Sequence, residues 1–275
     1  MTSFSFKPAI SFSLSELADL FTRSFEGYFV PINLDEITLH TMLRRGGVDL
    51  SESRVFLNEG QPIGLAMIAR RGWTSRLAAM GIVTESRHSG VGTWAMQNLM
   101  QEARARGDRE MVLEVIEQNT AGIKLYQKVG FKTVRRLVGF KLEHPQVEPG
   151  AELEEIDIRE LAHLVTLHGG KDWPWQLSGE SIALVTPPAR AYRLNDACCF
   201  ISSPEAEHVA ISSVLEKTGL DGAGTGPDLI RAVFSRFPNK VWHASAIFPE
   251  EMSPIFEKAG MVRETLSQLQ MSAKL

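Results

Sequence analysis

Hydrophobic residues recur along the chain with two periods. In residues 13–25, SLSELADLFTRSF, Leu14, Leu17, Leu20, Phe21 and Phe25 return every three or four positions behind a serine, which predicts an amphipathic helix with a Ser cap. Residues 34–45, LDEITLHTMLRR, predict a second helix, capped by Asn33 and stopped at Gly46-Gly47. The runs SRVFLNEG and QPIGLAMIAR then predict a hairpin turning at Asn58-Glu59-Gly60. Residues 76–85 are an apolar strand, 91–107 a helix stopped by Gly107, 109–117 a strand, 119–130 a helix and 132–143 a strand. The predicted order is two helices, three strands, helix, strand, helix, strand.

Periodicity fails over residues 144–155, HPQVEPGAELEE, where two prolines, a glycine and several acids predict a linker near 144–151. Beyond it come a helical run (IDIRELAHLVTLH), an irregular aromatic segment (KDWPWQLSGE) and three strand-like runs (ARAYRL, ACCFIS, HVAISSVLE). A loop, GLDGAGTG, leads to a helix (PDLIRAVFSRF), a strand (KVWHASAIF), a helix (EMSPIFEKAG) and a last strand (MVRETLSQLQMSA). This order repeats that of the first half, and LYQKVGF at 125–131 and IFEKAGM at 255–261 fall at the same place in it. The expectation is a tandem duplication, with domains at 1–145 and 151–275.

Composition narrows the class. The 275 residues suit two domains at about 150 each. A net charge of −4 argues against nucleic acid as the main partner, because phosphate binding needs a basic surface. No run approaches the ~20 apolar residues of a membrane span. The N-terminal segment, with one lysine at position 7 and no long apolar run behind it, makes a poor signal peptide. The two cysteines, Cys198 and Cys199, are adjacent, a spacing that disulfide geometry disfavours, and no His/Cys/Asp spacing resembles a metal site. A reducing, cytoplasmic compartment and no metal are expected.

The chemistry concentrates in RHSGVG, residues 87–92, where a strand runs through glycines into a helix. Such a turn aims several backbone N–H groups at one spot, and the helix N-terminus adds partial positive charge, so the pair holds a phosphate or diphosphate. Residues 90–95, GVGTWA, also fit the dinucleotide pattern G-x-G-x-x-A. Against that reading, some 75 residues of helices and a hairpin precede it, and the element order is wrong for a doubly wound sheet.

VTESRHSGVGTWAMQNLM followed by LEVIEQNTAGIKLYQKVGF resembles the GNAT superfamily of acetyl-CoA-dependent N-acetyltransferases over about residues 10–143. Arg87-x-x-Gly90-x-Gly92 matches the (Q/R)-x-x-G-x-(G/A) diphosphate loop. Residues 119–131 match N-x-x-A-x-x-L-Y-x-x-x-G-F, with alanine at 121 and glycine at 122, and Glu85 stands where the family usually has proline. The resemblance implies an α/β fold of mixed α+β type: two tandem GNAT-like domains, each a mixed, mostly antiparallel sheet flanked by helices. It implies acetyl-CoA as co-substrate, held by Arg87, His88, Ser89, Gly90, Val91, Gly92 and Thr93. Asn119 would hold the pantetheine arm, and backbone N–H groups at Gly81, Ile82 and Val83 would face the oxyanion. Glu114, at the spacing of ribosomal-protein alanine acetyltransferases, is the expected base and Tyr126 the donor to the thiolate. Tyr28, Phe29 and Trp73 are candidates for an aromatic wall around a small-molecule or peptide amine. A core tyrosine, an N-cap asparagine and solvated strand-edge acids are the structural alternatives for Tyr126, Asn119 and Glu114. An active N-acetyltransferase and a non-catalytic acyl-CoA-binding or interaction protein on the same fold both remain open.

Setting LYQKVGF against IFEKAGM pairs Tyr126 with Phe256, Asn119 with Pro249 and Glu114 with Ala244. Phenylalanine cannot donate, proline has no N–H and alanine cannot accept a proton. The second half is therefore expected to be a degenerate copy that covers the first domain, walls the acceptor site or makes a homodimer.

Overall fold

A computed structural model describes residues 4–145, 151–217 and 222–275. The middle of the expected linker and the first residues of the GLDGAGTG loop lie outside them. The elements in chain order are β1 (Phe4–Pro8), α1 (Leu14–Ser24), α2 (Glu36–Gly46), β2 (Val48–Asn58), β3 (Gln61–Arg71), β4 (Thr74–Ile82), α3 (Val91–Ala105), β5 (Glu110–Ile116), α4 (Thr120–Lys128) and β6 (Lys132–Leu142). There follow β7 (Glu154–Ile156), α5 (Ile158–His168), α6 (Gly179–Ile182), β8 (Arg190–Leu194), β9 (Ala197–Ile201), β10 (His208–Glu216), α7 (Gly226–Arg236), β11 (Val241–Pro249), α8 (Ser253–Lys258) and β12 (Val262–Lys274).

The chain packs as two compact units, Met1–Val134 with Leu269–Leu275, and Arg135–Gln268. This division differs from the expected 1–145 and 151–275. The chain leaves unit 1 partway along β6 and returns to it partway along β12. Nothing in composition marks either crossing, because both fall inside strands whose partners are chosen by tertiary pairing.

Unit 1 orders its strands β1-β2-β3-β4-β5 and then the end of β12. β1 to β4 are antiparallel neighbours, and β4 and β5 run parallel. Helix α1 begins with a capping box: Glu16 N–H donates to Ser13 Oγ, and Ser13 N–H donates to Glu16 Oε2. Its buried face, Leu17, Ala18, Leu20, Phe21 and Ser24, is the one its periodicity predicts. Helix α2 is capped by Asp35, which accepts the Thr38 N–H at 2.7 Å, and not by Asn33 as expected. The aspartate stands one residue ahead of the first helical turn, where a cap must be. β1 escapes sequence reading because it is a five-residue edge strand; Phe4 and Phe6 pack on Trp94, with ring centroids 5.4 and 4.5 Å apart.

Unit 2 repeats the plan with the order β6-β11-β10-β9-β8-β7, the first half of β12 lying beside β6. Here β10 and β11 are the parallel pair. Its core gathers Phe140, Tyr192, Phe234, Trp242, Phe248 and Phe256. Both sheets are mixed and mostly antiparallel, so the doubly wound dinucleotide reading falls.

Candidate active site

The site of unit 1 begins where β4 and β5 part. Their parallel pairing runs from Thr74 opposite Glu110 to Leu77 opposite Leu113 and stops there, although β4 continues to Ile82 and β5 to Ile116. On the other edge of β4, Met67 pairs with Ala79 and Ile68 with Leu77, so Ala78 is an extra, bulged residue. A bulge bends its strand and sharpens the local twist, which turns the end of β4 away from β5. Ala78, Ala79 and Met80 are half-buried along the resulting cleft.

The loop after β4 closes as an anion cradle. His88 has φ 61° and Gly90 φ 89°, both left-handed, and Gly90 caps α3. Alternating backbone of this kind turns successive N–H groups inward as a nest. The first bond of α3 is Trp94 N–H to Gly90 O at 3.1 Å. The amides of Val91, Gly92 and Thr93 therefore have no acceptor within the helix. No side chain caps α3, and its first turn holds no acid. A side chain on Gly92 would meet Leu125 at 3.2 Å, so glycine lets the start of α3 pack closely on α4. The donor set, bare amides at a helix N-terminus with no competing carboxylate, fits the diphosphate of coenzyme A.

Four expected ligands take other duties. The Arg87 side chain donates to Ile82 O at 2.9 Å, Glu26 O at 2.9 Å and Ser24 O at 3.2 Å, so its guanidinium fastens the loop to the end of α1. Val83 N–H donates to Ile63 O at 3.0 Å. By strand alternation the Gly81 N–H also faces β3, and of the expected triplet only the Ile82 N–H faces the cleft. Gly81 is glycine for packing: an added Cβ would lie 2.7 Å from Ser24 Cβ and 2.8 Å from the Phe25 ring. Ser89 Oγ donates back to Ser86 O at 2.7 Å, which stiffens the loop.

Asn119 caps α4, its Oδ1 accepting the Gly122 N–H at 2.9 Å. The shifted glycine of the motif is explained here, since a Cβ at 122 would sit 2.7 Å from the Asn119 amide. The Tyr28 hydroxyl lies close to the same amide. Burial pushes the Tyr28 phenol up, and the Asn119 amide pulls it back in part. Tyr126, one turn and a half into α4, is buried, which drives its phenol well above the ordinary tyrosine value; the nearby Tyr28 adds to the rise. It keeps its proton at neutral pH.

Glu114 is the first residue of β5 past the last paired one. Its Oε2 accepts Arg76 Nε at 2.9 Å and Nη2 at 2.7 Å, and the two side chains are 4% and 9% exposed. Arg76 is the residue that sequence reasoning missed. Its signal was available: a single cation in the apolar run RLAAMGI has to find a partner.

Of the aromatic wall, Tyr28 and Phe29 stand together, with ring centroids 5.3 Å apart, and Tyr28 meets Phe25 at 5.2 Å. Trp73 does not join them. It precedes the first residue of β4, roughly 25 Å along the strand from Gly81 at ~3.3 Å per residue. Its ring is covered by the Arg109 guanidinium at 3.5 Å. Proximity in sequence to the middle strands misled because β4 is traversed end to end before the cleft is reached.

A splayed parallel strand pair, a nest heading the next helix and a buried phenol on the helix after it are the architecture of an acyl-CoA-dependent transferase. Residues 14–131 match the Acetyltransferase (GNAT) family, so this part of the chain carries a domain of that family. The whole chain is similar to solved structures of the same fold. A GCN5-related N-acetyltransferase from Sphaerobacter thermophilus aligns over 98% of this chain and 95% of its own, with 16% identity and a TM-score of 0.68. A tandem GNAT protein from the clavulanic acid biosynthesis pathway aligns over 100% and 98%, with 15% identity and a TM-score of 0.66. A GCN5-related N-acetyltransferase from Anabaena variabilis aligns over 98% and 72%, with 14% identity and a TM-score of 0.64. At these identities the likeness speaks to fold. No curated protein matches the chain. Among the described residues no helix is long and apolar enough to cross a membrane, and no group of three or more His, Cys, Asp or Glu could hold a metal.

Proposed function

We propose that unit 1 transfers an acetyl group from acetyl-CoA to a primary amine. The observation that carries this reading is the open N-terminus of α3, with uncapped amides at 91–93 behind two left-handed residues. Bound acetyl-CoA supplies an electrophilic thioester and a thiolate leaving group. The nest and the first amides of α3 hold its diphosphate, and the Ile82 N–H faces the cleft where carbonyl charge develops.

An amine acceptor with a pKa near ~10.4 reaches neutral pH protonated and must lose a proton before it attacks. Glu114, oriented by Arg76, takes that proton directly or across one water. Tyr126 donates a hydrogen bond to the departing sulfur. Its raised pKa disfavours full proton transfer and favours hydrogen-bond stabilisation. The Tyr28–Asn119 pair steadies the approach to Tyr126, and Tyr28 and Phe29 offer π-faces to a cationic amine. Unit 2, which lacks counterparts of Tyr126, Asn119 and Glu114, is read as a structural copy.

The test is calorimetric titration with acetyl-CoA, followed by free-thiol release over a panel of polyamines, amino acids, aminoglycosides and peptide N-termini. Binding to the full chain that is lost in Gly90→Val, with turnover on at least one amine class, is the expected result. Tight binding with no turnover on any class would favour a non-catalytic acyl-CoA-binding protein. No binding would overturn both.

A further inference from the structure

The strand beside Glu114 comes from the far end of the chain. Residues 269–275 pack in unit 1, and β12 is the neighbour of β5 on the edge away from β4. Two contacts set the register. Leu275 N–H donates to Arg109 O at 3.0 Å, and Lys274 Nζ lies 3.1 Å from Glu110 Oε1. The second residue of each pair precedes or opens β5 while the first closes β12, so the strands are antiparallel. Counting back one residue at a time from Leu275 and Arg109 sets Ala273 against Met111, Ser272 against Val112, Met271 against Leu113 and Gln270 against Glu114. The core agrees with this count. Met271 and Ala273 are buried in the same cluster as Met111, Leu113 and Val115, so the odd-numbered residues of both strands face one way. The even-numbered ones share the other face, where Ser272 Oγ also bonds Glu110.

We infer that Gln270 is a positioning residue for Glu114, a site residue lent to the N-terminal unit by the chain's last strand. Opposed residues of an antiparallel pair have Cβ atoms about 4.5–5.5 Å apart on one face. Gln270 is 6% exposed, and the strand order with this register puts it on the flank of Glu114 opposite Arg76. Arg76 on β4, Glu114 on β5 and Gln270 on β12 then form one polar row across three adjacent strands. A carboxylate gripped from one side only can swing about its own bonds. A second polar group on the other flank fixes the plane in which it meets an incoming amine. The catalytic consequence rests on Glu114 acting as base, whereas the contact itself does not.

Two measurements on the full chain separate these. The first needs no turnover. The side-chain amide signals of Gln270, identified by their loss in Gln270→Met, are expected to shift in Glu114→Gln and to stay in place in the surface control Glu36→Gln. In urea unfolding, the single and double variants at 114 and 270 are expected to depart from additivity by about threefold or more in the unfolding constant. Unmoved signals together with additive unfolding overturn the inference. The second is kinetic: Gln270→Met is expected to lower kcat about tenfold or more with the KM for acetyl-CoA unchanged, and Gln270→Asn to recover part of the loss. A wild-type kcat in Gln270→Met overturns the positioning role. A wild-type chain inactive on every amine, with the coupling present, would instead count against the acetyltransferase reading and leave the contact standing.

Discussion

Helices α4 and α8 end in the same way and sit in opposite surroundings. In unit 1, Phe131 N–H donates to Tyr126 O at 3.0 Å and Gly130 N–H to Gln127 O at 3.1 Å, with Gly130 at φ 104°. In unit 2, Met261 N–H donates to Phe256 O and Gly260 N–H to Glu257 O, both at 3.0 Å, with Gly260 at φ 92°. Each is a Schellman closure, which requires a left-handed residue at that one place and so preserved the glycine in both copies. The residue that opens the motif differs. Tyr126 faces the neighbourhood of Tyr28 and Asn119, whereas Phe256 is fully buried, stacked on Phe140 and edge-on to Phe248, each at 4.7 Å. Where unit 1 keeps a hydroxyl beside a cleft, unit 2 has filled the same space with aromatic packing.

The helix starts differ in the same sense. α3 leaves its first amides open. At α7 the Gly226 N–H donates to Glu216 Oε1 at 3.3 Å, and Glu216 is 3% exposed. A Cβ at 226 would lie 2.8 Å from Glu216 Oε2, so glycine here makes room for the protein's own carboxylate. Pro227 in the first turn removes a further donor. Where unit 1 leaves a helix start open, unit 2 places its own Glu216. Duplication kept the framework, and the copies diverged where framework and ligand compete for the same groups.

The sharpest test exchanges the two aromatic residues. Tyr126→Phe is expected to lower kcat by about 10²-fold without loss of stability, since Phe256 shows that the ring alone satisfies this helix. The reverse change, Phe256→Tyr, is expected to confer no activity and to destabilise unit 2 by about 1–3 kcal/mol, because the hydroxyl would be buried among phenylalanines without a partner. Steady-state kinetics and urea unfolding read the two arms. Equal kcat in wild type and Tyr126→Phe would remove Tyr126 from the mechanism.

A smaller effect is expected at the helix start. Glu216→Gln keeps the shape and removes the charge at the N-terminus of α7. It should cost about 1 kcal/mol of unit 2 stability, seen as a lower urea midpoint. The stoichiometry of acetyl-CoA binding should stay at one per chain, because Phe248 and Phe256 still occupy the space beyond. A second binding event in this variant would mean that the carboxylate alone had closed the site.

What the sequence disclosed follows from where each feature is encoded. The long helices and strands were legible because their apolar faces recur locally, and the glycine loop because its glycines and the helix that follows are contiguous. The Asp35 cap was misplaced by two residues, a shift that periodicity does not resolve. β7, at three residues, is too short to carry a period. The exchange of β6 and β12 between units was invisible for a different reason: strand pairing is a nonlocal choice, and KTVRRLVGFKL reads the same whichever sheet it joins. The site followed the same rule. Tyr126 and Asn119 lie within one motif and are read together. Arg76 and Gln270 reach Glu114 only through the sheet.

The last difference between the copies appears at high pH. Phe256 cannot ionise, whereas the Tyr126 phenol is held above its ordinary value of 10.0 by burial and by Tyr28. Below pH 10 the phenol is protonated in both the folded and unfolded chain, and its contribution to stability is fully present. Above that pH the unfolded chain gives up the proton first, so stability falls as pH rises, by up to about 1.4 kcal/mol per unit for this one group. Tyr28, also raised by burial, adds a loss of the same sign. Urea unfolding of unit 1 at pH 9 and pH 11 should therefore show a smaller drop in Tyr126→Phe than in wild type, and a smaller one still when Tyr28→Phe is added. The buried Cys199 thiol of unit 2 is likewise pushed up, but it is common to all three chains and cancels in the comparison. If Tyr126→Phe loses as much stability as wild type between these two pH values, the phenol is not desolvated, and the contrast between a hydroxyl held for chemistry and a ring held for packing fails at its central residue.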